Sequence, residues 1–274
     1  MNILVSKCGI TKIRLTGGEP TVHPEFDLYT SLLSSLPLEA RGITTNGILF
    51  TRMDRIARCF NLVNVSLDTL DSEKFALIAK RPVLNNVLKS LDILSSSSAK
   101  IKINTVVMRG INDDELVDIL SLSSKYPNTT VRFIELMPFN GNGHANKLFI
   151  GKEEILDKLG WGVEEVRQDP SSSASTYSVN GREFGIISSI TDDFCGSCNR
   201  IRLTSDGKIR NCLFADTDTE TDLVALIRAG KCDEEIELAI RENVGKKFAS
   251  HGGKTADELW NQSHRNRAMI SLGG

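Results

Sequence analysis

The sequence KIKINTVVMRGINDDELVDILSLSSKYPNTTVRFIEL, residues 100–136, decides the fold class. Its two β-branched runs, Lys100–Val107 and Thr130–Leu136, are separated by apolar residues at three-to-four spacing over Asp113–Ser124. This pattern predicts a strand, a helix and a strand in succession, with Asn112 or Asp113 capping the helix. Because a helix connects the two strands, we expect them to pair in parallel.

The same strand-and-helix unit recurs upstream. Three further strands are predicted, at Lys12–Leu15, Gly42–Thr45 and Val63–Leu67. Helical spacing is found at Glu25–Leu36, Arg52–Cys59, Ser72–Ile78 and Val83–Leu94. This alternation predicts an α/β protein with an open parallel sheet or a partial (β/α) barrel. In both folds, functional side chains collect at the carboxyl ends of the strands.

The composition is that of an ordinary globular protein. The chain has 274 residues, with 33 Lys and Arg against 35 Asp and Glu, which gives a formal charge of −2. This near balance argues against a protein that coats nucleic acid. No apolar run approaches the ~20 residues that cross a bilayer, and the N-terminus resembles neither a secretory signal nor a transit peptide. We therefore expect a soluble intracellular protein that binds neither nucleic acid nor membrane.

A second, smaller module is predicted where the strand-and-helix pattern breaks. We place the boundary at residue 140, which gives domains at 1–140 and 141–274. The second contains a helix at Lys152–Leu159, a strand at Glu183–Ser188, a cysteine hairpin over residues 195–213 and a helix from about Asp233.

The hairpin sequence FCGSCNRIRLTSDGKIRNCLF, residues 194–214, is the strongest local signal for chemistry. Its Asp206-Gly207 pair predicts a two-residue turn that pairs residues 200–205 with 208–213. In that register Ile201 lies opposite Cys212. The turn therefore brings Cys212 back beside Cys198.

Three cysteines of this hairpin predict a metal site. Cys195, Cys198 and Cys212 would form a compact thiolate site suited to zinc or to an iron–sulfur cluster. His251 or Cys232 could complete a zinc site, whereas a 4Fe-4S cluster held by three cysteines leaves one iron open to a small molecule. Spacing alone leaves both alternatives open.

Two arginines follow the cysteine pair. Arg200 and Arg202 are two residues apart on a predicted strand, so both guanidiniums should project from one face of the hairpin. Paired guanidiniums favour phosphate or carboxylate. The alternative is a solvated strand face, and the position beside the cysteines favours a ligand.

Polar and glycine residues also gather at the predicted strand ends. They are Gly17, Gly18 and Glu19, then Thr44, then Ser66 and Asp68, then Glu135 and Met137. Glycines let a ligand approach the backbone, and Glu19 can accept a hydrogen bond from an amine. Lys102 and Asn104 share one face of their strand, where a lysine would be a solvated side chain or, at the mouth of a barrel, a phosphate contact.

Several of these segments together resemble one family. IRLTGGEPTVHPEF (13–26), GITTNG (42–47), NVSLDTLD (64–71) and the cysteine hairpin are similar to the radical S-adenosylmethionine (SAM) GTP 3′,8-cyclases of molybdenum cofactor biosynthesis. In that family an adenosyl radical abstracts the ribose 3′ hydrogen of GTP and the ribose carbon attacks C8, giving 3′,8-cyclo-7,8-dihydro-GTP. The resemblance implies this lyase activity, and a cyclic pyranopterin monophosphate synthase acting on the product.

The resemblance also implies a fold and a set of site residues. The fold would be a partial TIM-like (β/α) barrel of radical SAM type with a smaller C-terminal iron–sulfur module, and it allows a homodimer. The implied ligands of a C-terminal 4Fe-4S cluster are Cys195, Cys198 and Cys212. The implied GTP contacts are Arg14, Thr44, Lys102, Arg200, Ile201 and Arg202; Gly18, Ser66 and Met137 would line SAM, and Gly273-Gly274 would reach into the site.

One motif of that family is missing from this sequence. The cluster that reduces SAM is held in the family by CxxxCxxC on the first barrel strand, and no CxxxCxxC occurs here. We therefore expect a barrel that lacks its first strand and the ligands of that first 4Fe-4S cluster. Three interpretations stay open: a truncated cyclase, a short isoform that binds GTP and one cluster without turnover, and an unrelated zinc-stabilised protein. By resemblance, a full-length eukaryotic form would lie in the mitochondrial matrix and other forms in the cytoplasm.

Overall fold

An eight-stranded, mostly parallel sheet organises the chain in a computed structural model that describes residues 1–139, 145–166, 172–192 and 194–261. Its strands are β1 (Lys12–Leu15), β2 (Ala40–Thr45), β3 (Leu62–Ser66), β4 (Lys100–Val107), β5 (Thr129–Glu135), β6 (Glu164–Glu165), β7 (Ser175–Val179) and β8 (Arg182–Ile187). They lie in the order β1-β2-β3-β4-β5-β8-β7-β6. Strands β1 to β5 and β8 pair in parallel, and β7 and β6 pair antiparallel. The predicted α/β class with a parallel sheet is confirmed.

Helices connect these strands and complete the C-terminal part. They are α1 (Asn2–Ser6), α2 (Phe26–Ser35), α3 (Met53–Cys59), α4 (Ser72–Ala79), α5 (Leu84–Ser95), α6 (Leu116–Lys125), α7 (Ala145–Leu148), α8 (Lys152–Leu159), α9 (Leu223–Arg228), α10 (Asp233–Gly245) and α11 (Ala256–Asn261). Over the described residues, no helix has the length and apolar character needed to span a membrane.

The two faces of the sheet differ in chemistry. Strand register aligns Ile43, Val63 and Ile101 on one face, where they are buried against apolar residues of α2, α3, α5 and α6. The alternate residues of the same strands point to the opposite face, because side-chain direction alternates along a strand. We call this opposite face the polar face; it carries Arg14, Thr44, Asn64, Ser66, Lys102, Asn104 and Arg132.

Helix α6 begins later than the sequence predicts. Neither proposed capping residue caps it: Asn112 accepts from the amide of Met108 at 2.8 Å, and Asp113 accepts from the amide of Gly110 at 2.7 Å. Both side chains instead close a turn before the helix, which is the competing local use of Asn and Asp. The helix starts at Leu116.

The C-terminal part contains a small second sheet. Its strands are β9 (Arg202–Leu203), β10 (Lys208–Arg210) and β11 (Thr221–Asp222), in the order β11-β10-β9. Ile209 of this sheet and Ile236 and Ile240 of α10 form one apolar cluster with Leu4 of α1. Helix α10 therefore packs against the first helix of the described chain. Strands β6 to β8 belong to the main sheet, although they follow the predicted domain boundary at residue 140. The boundary therefore stays a prediction.

Candidate functional site

Two arginines lie close together on the polar face. Nε and Nη2 of Arg132 both donate to Oδ1 of Asn104, at 3.0 and 2.7 Å. Burial, together with the nearby charge of Arg14, lowers the pKa of Arg132 to about 9. Burial also lowers the pKa of Arg14. Within the described part of the chain, neither arginine forms an ion pair with a carboxylate, so together they present a positive surface suited to an anion.

Glycine at position 42 makes room for this arrangement. A Cβ atom at Gly42 would lie 3.2 Å from Cζ of Arg14, and Nη1 of Arg14 lies 3.5 Å from the carbonyl oxygen of Ile43. The Arg14 side chain therefore crosses strand β2 directly over the glycine.

Two buried polar atoms on the polar face lack a protein partner. Oγ1 of Thr44 and Oδ1 of Asn64 are buried and make no hydrogen bond among the described residues. The two residues are register partners on β2 and β3, and Lys102 on β4 is the register partner of Asn64. Because buried polar groups are nearly always paired, these two atoms mark positions where a polar ligand would fit.

The predicted SAM residues lie at the strand ends. Gly18 follows Gly17, whose φ of +138° requires glycine, and Ser66 ends β3 beside Asn104. Met137 follows β5 and packs in an apolar cluster with Phe139, Phe214 and Cys212. Residues at the end of β5 and the third cysteine of the hairpin therefore pack against the same apolar cluster.

Two carboxylates at the sheet rim are already engaged with the protein. Glu19 accepts from the hydroxyl of Thr45 at 2.7 Å and from the amide of Asn46 at 2.6 Å, so its predicted role as an acceptor for a ligand amine is not what this geometry favours. Glu135 is fully buried and accepts from the amides of Lys152 and Ile190, at 2.9 and 2.8 Å. These carboxylates fix loops around the site.

The cysteine hairpin has a different register from the predicted one. Arg202 pairs with Arg210 and Leu203 pairs with Ile209, so Thr204 closes on Lys208 across three residues rather than two. Gly207 has a φ of +81°, as expected for the third residue of a three-residue turn. The sequence prediction that sets Ile201 opposite Cys212 is therefore wrong by one residue; Ile201 instead packs against the apolar cluster around Ile209.

The three predicted cysteines still gather in one region. Cys195 opens a short 3-10 turn, and the amide of Cys198 donates to its carbonyl at 3.1 Å. Both Cys198 and Cys212 lie close enough to Arg202 to raise its pKa electrostatically. Over the described residues, no three His, Cys, Asp or Glu side chains are already close enough to one another to hold a metal ion.

Hydrogen-bond donors lie beside two of the three thiols. Nζ of Lys247 lies 3.1 Å from Sγ of Cys198, and the backbone amide of His251 donates to Sγ of Cys195 at 3.4 Å. Burial raises the pKa of Cys198, but the amide of Arg200, the Lys247 ammonium and the Arg200 side chain outweigh it, and the pKa falls to about 7. This environment stabilises a thiolate, the form that binds metal.

The two residues proposed to complete a zinc site are not arranged as ligands. Both ring nitrogens of His251 are engaged, Nε2 with the carbonyl of Ser189 at 2.7 Å and Nδ1 with the hydroxyl of Ser250 at 2.9 Å. Cys232 is exposed at the start of α10. The hydrogen-bonding geometry therefore offers no fourth protein ligand from these two.

The hairpin arginines are largely desolvated. The guanidinium of Arg200 stacks over the ring of Phe194 at 4.7 Å, and its Nη2 is buried without a partner among the described residues. Burial lowers the pKa of Arg202 to about 10, and the charges of Arg210 and Arg200 add to that effect. This second group of cations lies beside the cysteines.

Sequence reasoning missed two residues of this site. Arg132 could have been found, because its strand lies next to the one carrying Lys102 and Asn104 and the same alternation places it on the polar face. Lys247 lies far along the chain from the cysteines, and no sequence pattern connects it to them. The predicted Gly273-Gly274 tail lies outside the described residues.

Comparison with known proteins supplies the family. Residues 3–123 match the Radical SAM superfamily, and residues 129–253 match Molybdenum Cofactor Synthesis C. The chain is 38% identical to "GTP 3',8-cyclase" of Rhodopirellula baltica, over 99% of this chain and 77% of that protein. It is 37% identical to "GTP 3',8-cyclase, mitochondrial" of Arabidopsis thaliana, over 99% of this chain and 70% of that protein.

These matches define the class first: the chain is a radical SAM protein. More particularly, it belongs to the GTP 3′,8-cyclase family of molybdenum cofactor biosynthesis. Animal relatives are longer. The mouse "Molybdenum cofactor biosynthesis protein 1" is 38% identical over 98% of this chain, and the chain spans only 43% of that protein's length.

Proposed function

We propose that this chain carries the GTP site and the C-terminal cluster site of a GTP 3′,8-cyclase of molybdenum cofactor biosynthesis. The observation that carries the proposal is the pair of buried cations on the polar face, Arg14 and Arg132, which form no ion pair with a carboxylate among the described residues. The charge of Arg14 adds to burial in lowering the pKa of Arg132, and Arg200 and Arg202 lie beside the thiols. A nucleoside triphosphate supplies the negative charge and the polar atoms that these groups lack.

The remaining proposed GTP contacts fit the same ligand. Oγ1 of Thr44 is buried without a partner among the described residues, Lys102 lies on the polar face, and Ile201 lies between the two hairpin arginines. SAM would meet Gly18, Ser66 and Met137 at the strand ends. Met137 and Cys212 pack against one apolar cluster, which favours a common site for the two ligands.

The donor set at the hairpin fits a 4Fe-4S cluster in kind. Cys195, Cys198 and Cys212 provide three thiols, and the N–H donors of Lys247 and His251 point at two of their sulfurs. Hydrogen bonds to cysteine sulfur are a regular feature of iron–sulfur sites. When bound, such a cluster would supply an open iron to a ligand atom of the purine. The chain's own residues would hold the triphosphate and exclude water from the thiols.

The proposed fold is the partial barrel of radical SAM proteins. Its support is the contact between α10 and α1: Lys7 after α1 pairs with Glu234 of α10, and Arg241 of α10 donates to the carbonyl of Lys7 at 2.9 Å. The C-terminal part therefore connects the β5 side of the sheet to the β1 side.

A second candidate function is a binding form that does not turn over. The observation that favours it is that residues 1–274 contain no CxxxCxxC, the motif that holds the SAM-reducing cluster in the family. The same proposal covers the partners. Either form would bind GTP and SAM, and a cyclic pyranopterin monophosphate synthase would act on the product of an active form. The proposal also includes a homodimer and a mitochondrial compartment.

Iron and acid-labile sulfide per chain, measured after anaerobic reconstitution, test the cluster and separate the two forms. About four irons per chain indicate the C-terminal cluster alone and a binding form; about eight indicate two clusters, and cyclase assay should follow. We expect Cys212→Ala to lose iron as fully as Cys198→Ala, because each removes one of three thiolates. Cys232→Ala, at an exposed cysteine outside the site, is the matched control. Normal iron in Cys212→Ala would rule out the three-thiolate site.

A further inference from the structure

A short segment after α10 contacts the chain at or near all three cysteines of the site. We call residues 247–254 the clasp. At its first residue, Nζ of Lys247 lies 2.6 Å from the carbonyl oxygen of Cys198, 3.1 Å from its Sγ and 3.2 Å from the carbonyl oxygen of Arg200. These three acceptors match the three donors of an ammonium group. Lys247 is therefore fixed to the Cys198 segment by its side chain.

The middle of the clasp holds the other two cysteine segments. The amide of His251 donates to Sγ of Cys195, and its ring bonds to the carbonyl of Ser189. The backbone at Gly252 abuts the chain just beyond Cys212, because a Cβ there would lie 2.9 Å from the carbonyl carbon of Phe214. The clasp thus contacts the segments that carry Cys195 and Cys198 and the chain two residues beyond Cys212.

Charge distinguishes Lys247 from the rest of the clasp. Its acceptors among the described residues are two carbonyls and one sulfur, with no carboxylate to neutralise it. By contrast, Lys254 at the other end of the clasp forms an ion pair with Asp216 at 2.6 Å. A half-buried cation in contact with a thiolate balances negative charge at that sulfur. A cluster gains one negative charge on one-electron reduction, so a fixed cation beside a ligand sulfur favours its reduced form.

We propose that Lys247 is a positioning residue of the three-cysteine site that fixes Cys198 and raises the reduction potential of the cluster bound there. This inference rests on the proposed function, since it requires a cluster on Cys195, Cys198 and Cys212. It goes beyond that function because it assigns the tuning of the cluster to a residue of the segment after α10 rather than to the hairpin.

The test is a reductive titration of the reconstituted full chain, followed by electron paramagnetic resonance of the reduced cluster. We expect Lys247→Met to shift the one-electron equilibrium toward the oxidised form by about tenfold, which corresponds to about 59 mV. Lys247→Arg should restore the wild-type potential, because it keeps the charge. Lys246→Met is the matched control: it removes the same charge one residue earlier, from an exposed side chain.

The outcomes separate the two proposals. If the wild-type chain holds no iron, the proposed cluster site fails. If the wild type holds about four irons and Lys247→Met has an unchanged potential and resonance spectrum, the role of Lys247 is overturned. If Lys247→Met does not hold iron, Lys247→Gln is titrated instead. A lowered reduction potential in Lys247→Gln supports the proposal. Loss of iron at an unchanged melting temperature, with iron restored in Lys247→Arg, also supports it. Loss of iron together with a strongly lowered melting temperature in both Lys247→Met and Lys247→Gln overturns it.

Discussion

The sheet region, residues 1–139, and the cysteine region, residues 194–254, are stabilised in different ways. In the sheet region the β4–β5 ladder alone aligns seven residue pairs. In the cysteine region the hairpin aligns only two, and side chains bond to the backbone of distant segments instead. Examples are Asn211, which donates to the carbonyl of Asn243 at 2.8 Å, and Lys254, which donates to the carbonyl of Phe214 at 2.9 Å.

This difference predicts where single substitutions matter most. A ladder shares its hydrogen bonds over many residues, so the loss of one side chain leaves the backbone pairing intact. A loop held by one long side chain loses its geometry together with that side chain. We therefore expect the cysteine region to respond more strongly to polar substitutions than the sheet region does.

Of the substitutions considered, one at Arg210 should lower the free energy of unfolding the most. Arg210 is fully buried, and its guanidinium donates to the carboxylate of Glu220, whose side chain is 2% exposed, and to the carbonyl of Ala215. Arg210→Met removes the closer of the two cations that pair with the buried Glu220 carboxylate and leaves the longer pair with Lys208, at 4.0 Å. Breaking a buried ion pair costs about 3–5 kcal/mol. We expect this loss in urea unfolding, with reduced iron after reconstitution because Cys212 lies in the segment between Arg210 and Ala215.

The double variant Arg210→Met, Glu220→Met provides the control. Replacing both members of a buried pair with apolar residues is often neutral or stabilising, so most of the lost stability should return. If Arg210→Met alone costs less than about 1 kcal/mol, the pair does not stabilise this region and the contrast with the sheet region is wrong.

Asp68 offers a smaller, pH-dependent test within the sheet region. Burial raises the pKa of Asp68 to about 6, and the amide of Val106, which donates to Oδ1 at 2.8 Å, opposes that rise. The folded state therefore binds a proton more tightly than the unfolded state, whose pKa is near 3.8. Stability contributed by this proton is present below about pH 4 and is lost as the pH rises through about 6.

Asp68→Asn removes that titration and keeps an acceptor for Val106. The unfolding free energy of the variant, relative to wild type, should rise by about 2 kcal/mol between pH 4 and pH 7. Urea unfolding at a series of pH values measures this difference, and the iron content should stay unchanged. A difference that is flat with pH would mean that Asp68 has an ordinary pKa.

The two regions also differ in how far the sequence predicts them. The β1 and β4 bounds agree with prediction, and β2, β3 and β5 differ by at most two residues. A short run of β-branched and apolar residues is a local property that the sequence shows directly. The start of α6 was misplaced because Asn112 and Asp113 bond to nearby amides instead of capping it. Local pattern cannot distinguish these two uses of the same side chain.

In the cysteine region, the sequence predicts which residues belong to the site better than it predicts how they are arranged in space. The three cysteines and two arginines are evident from their spacing, yet the hairpin register depends on whether the turn has two or three residues, which Asp206-Gly207 leaves open. Lys247 and its contact with Cys198 follow from the packing of α10, which is set by apolar contacts with α1 and β10. Such contacts between distant parts of the chain leave no periodic signal.

The N-cap of α4 should give the smallest of these effects and sharpen the comparison from the sheet side. Oδ1 of Asp71 accepts from the amides of Glu73 and Lys74, both at 2.8 Å, and so satisfies two donors at the helix start. Asp71→Ala should cost about 1 kcal/mol in urea unfolding, and Asp71→Asn should recover most of it because it keeps the acceptor. Iron content should be unchanged in both variants, since the strand ladders next to α4 do not depend on its cap. Iron loss in Asp71→Ala would mean that the two regions unfold as one unit. The larger effect of Arg210→Met would then not show that the cysteine region is stabilised differently from the sheet region.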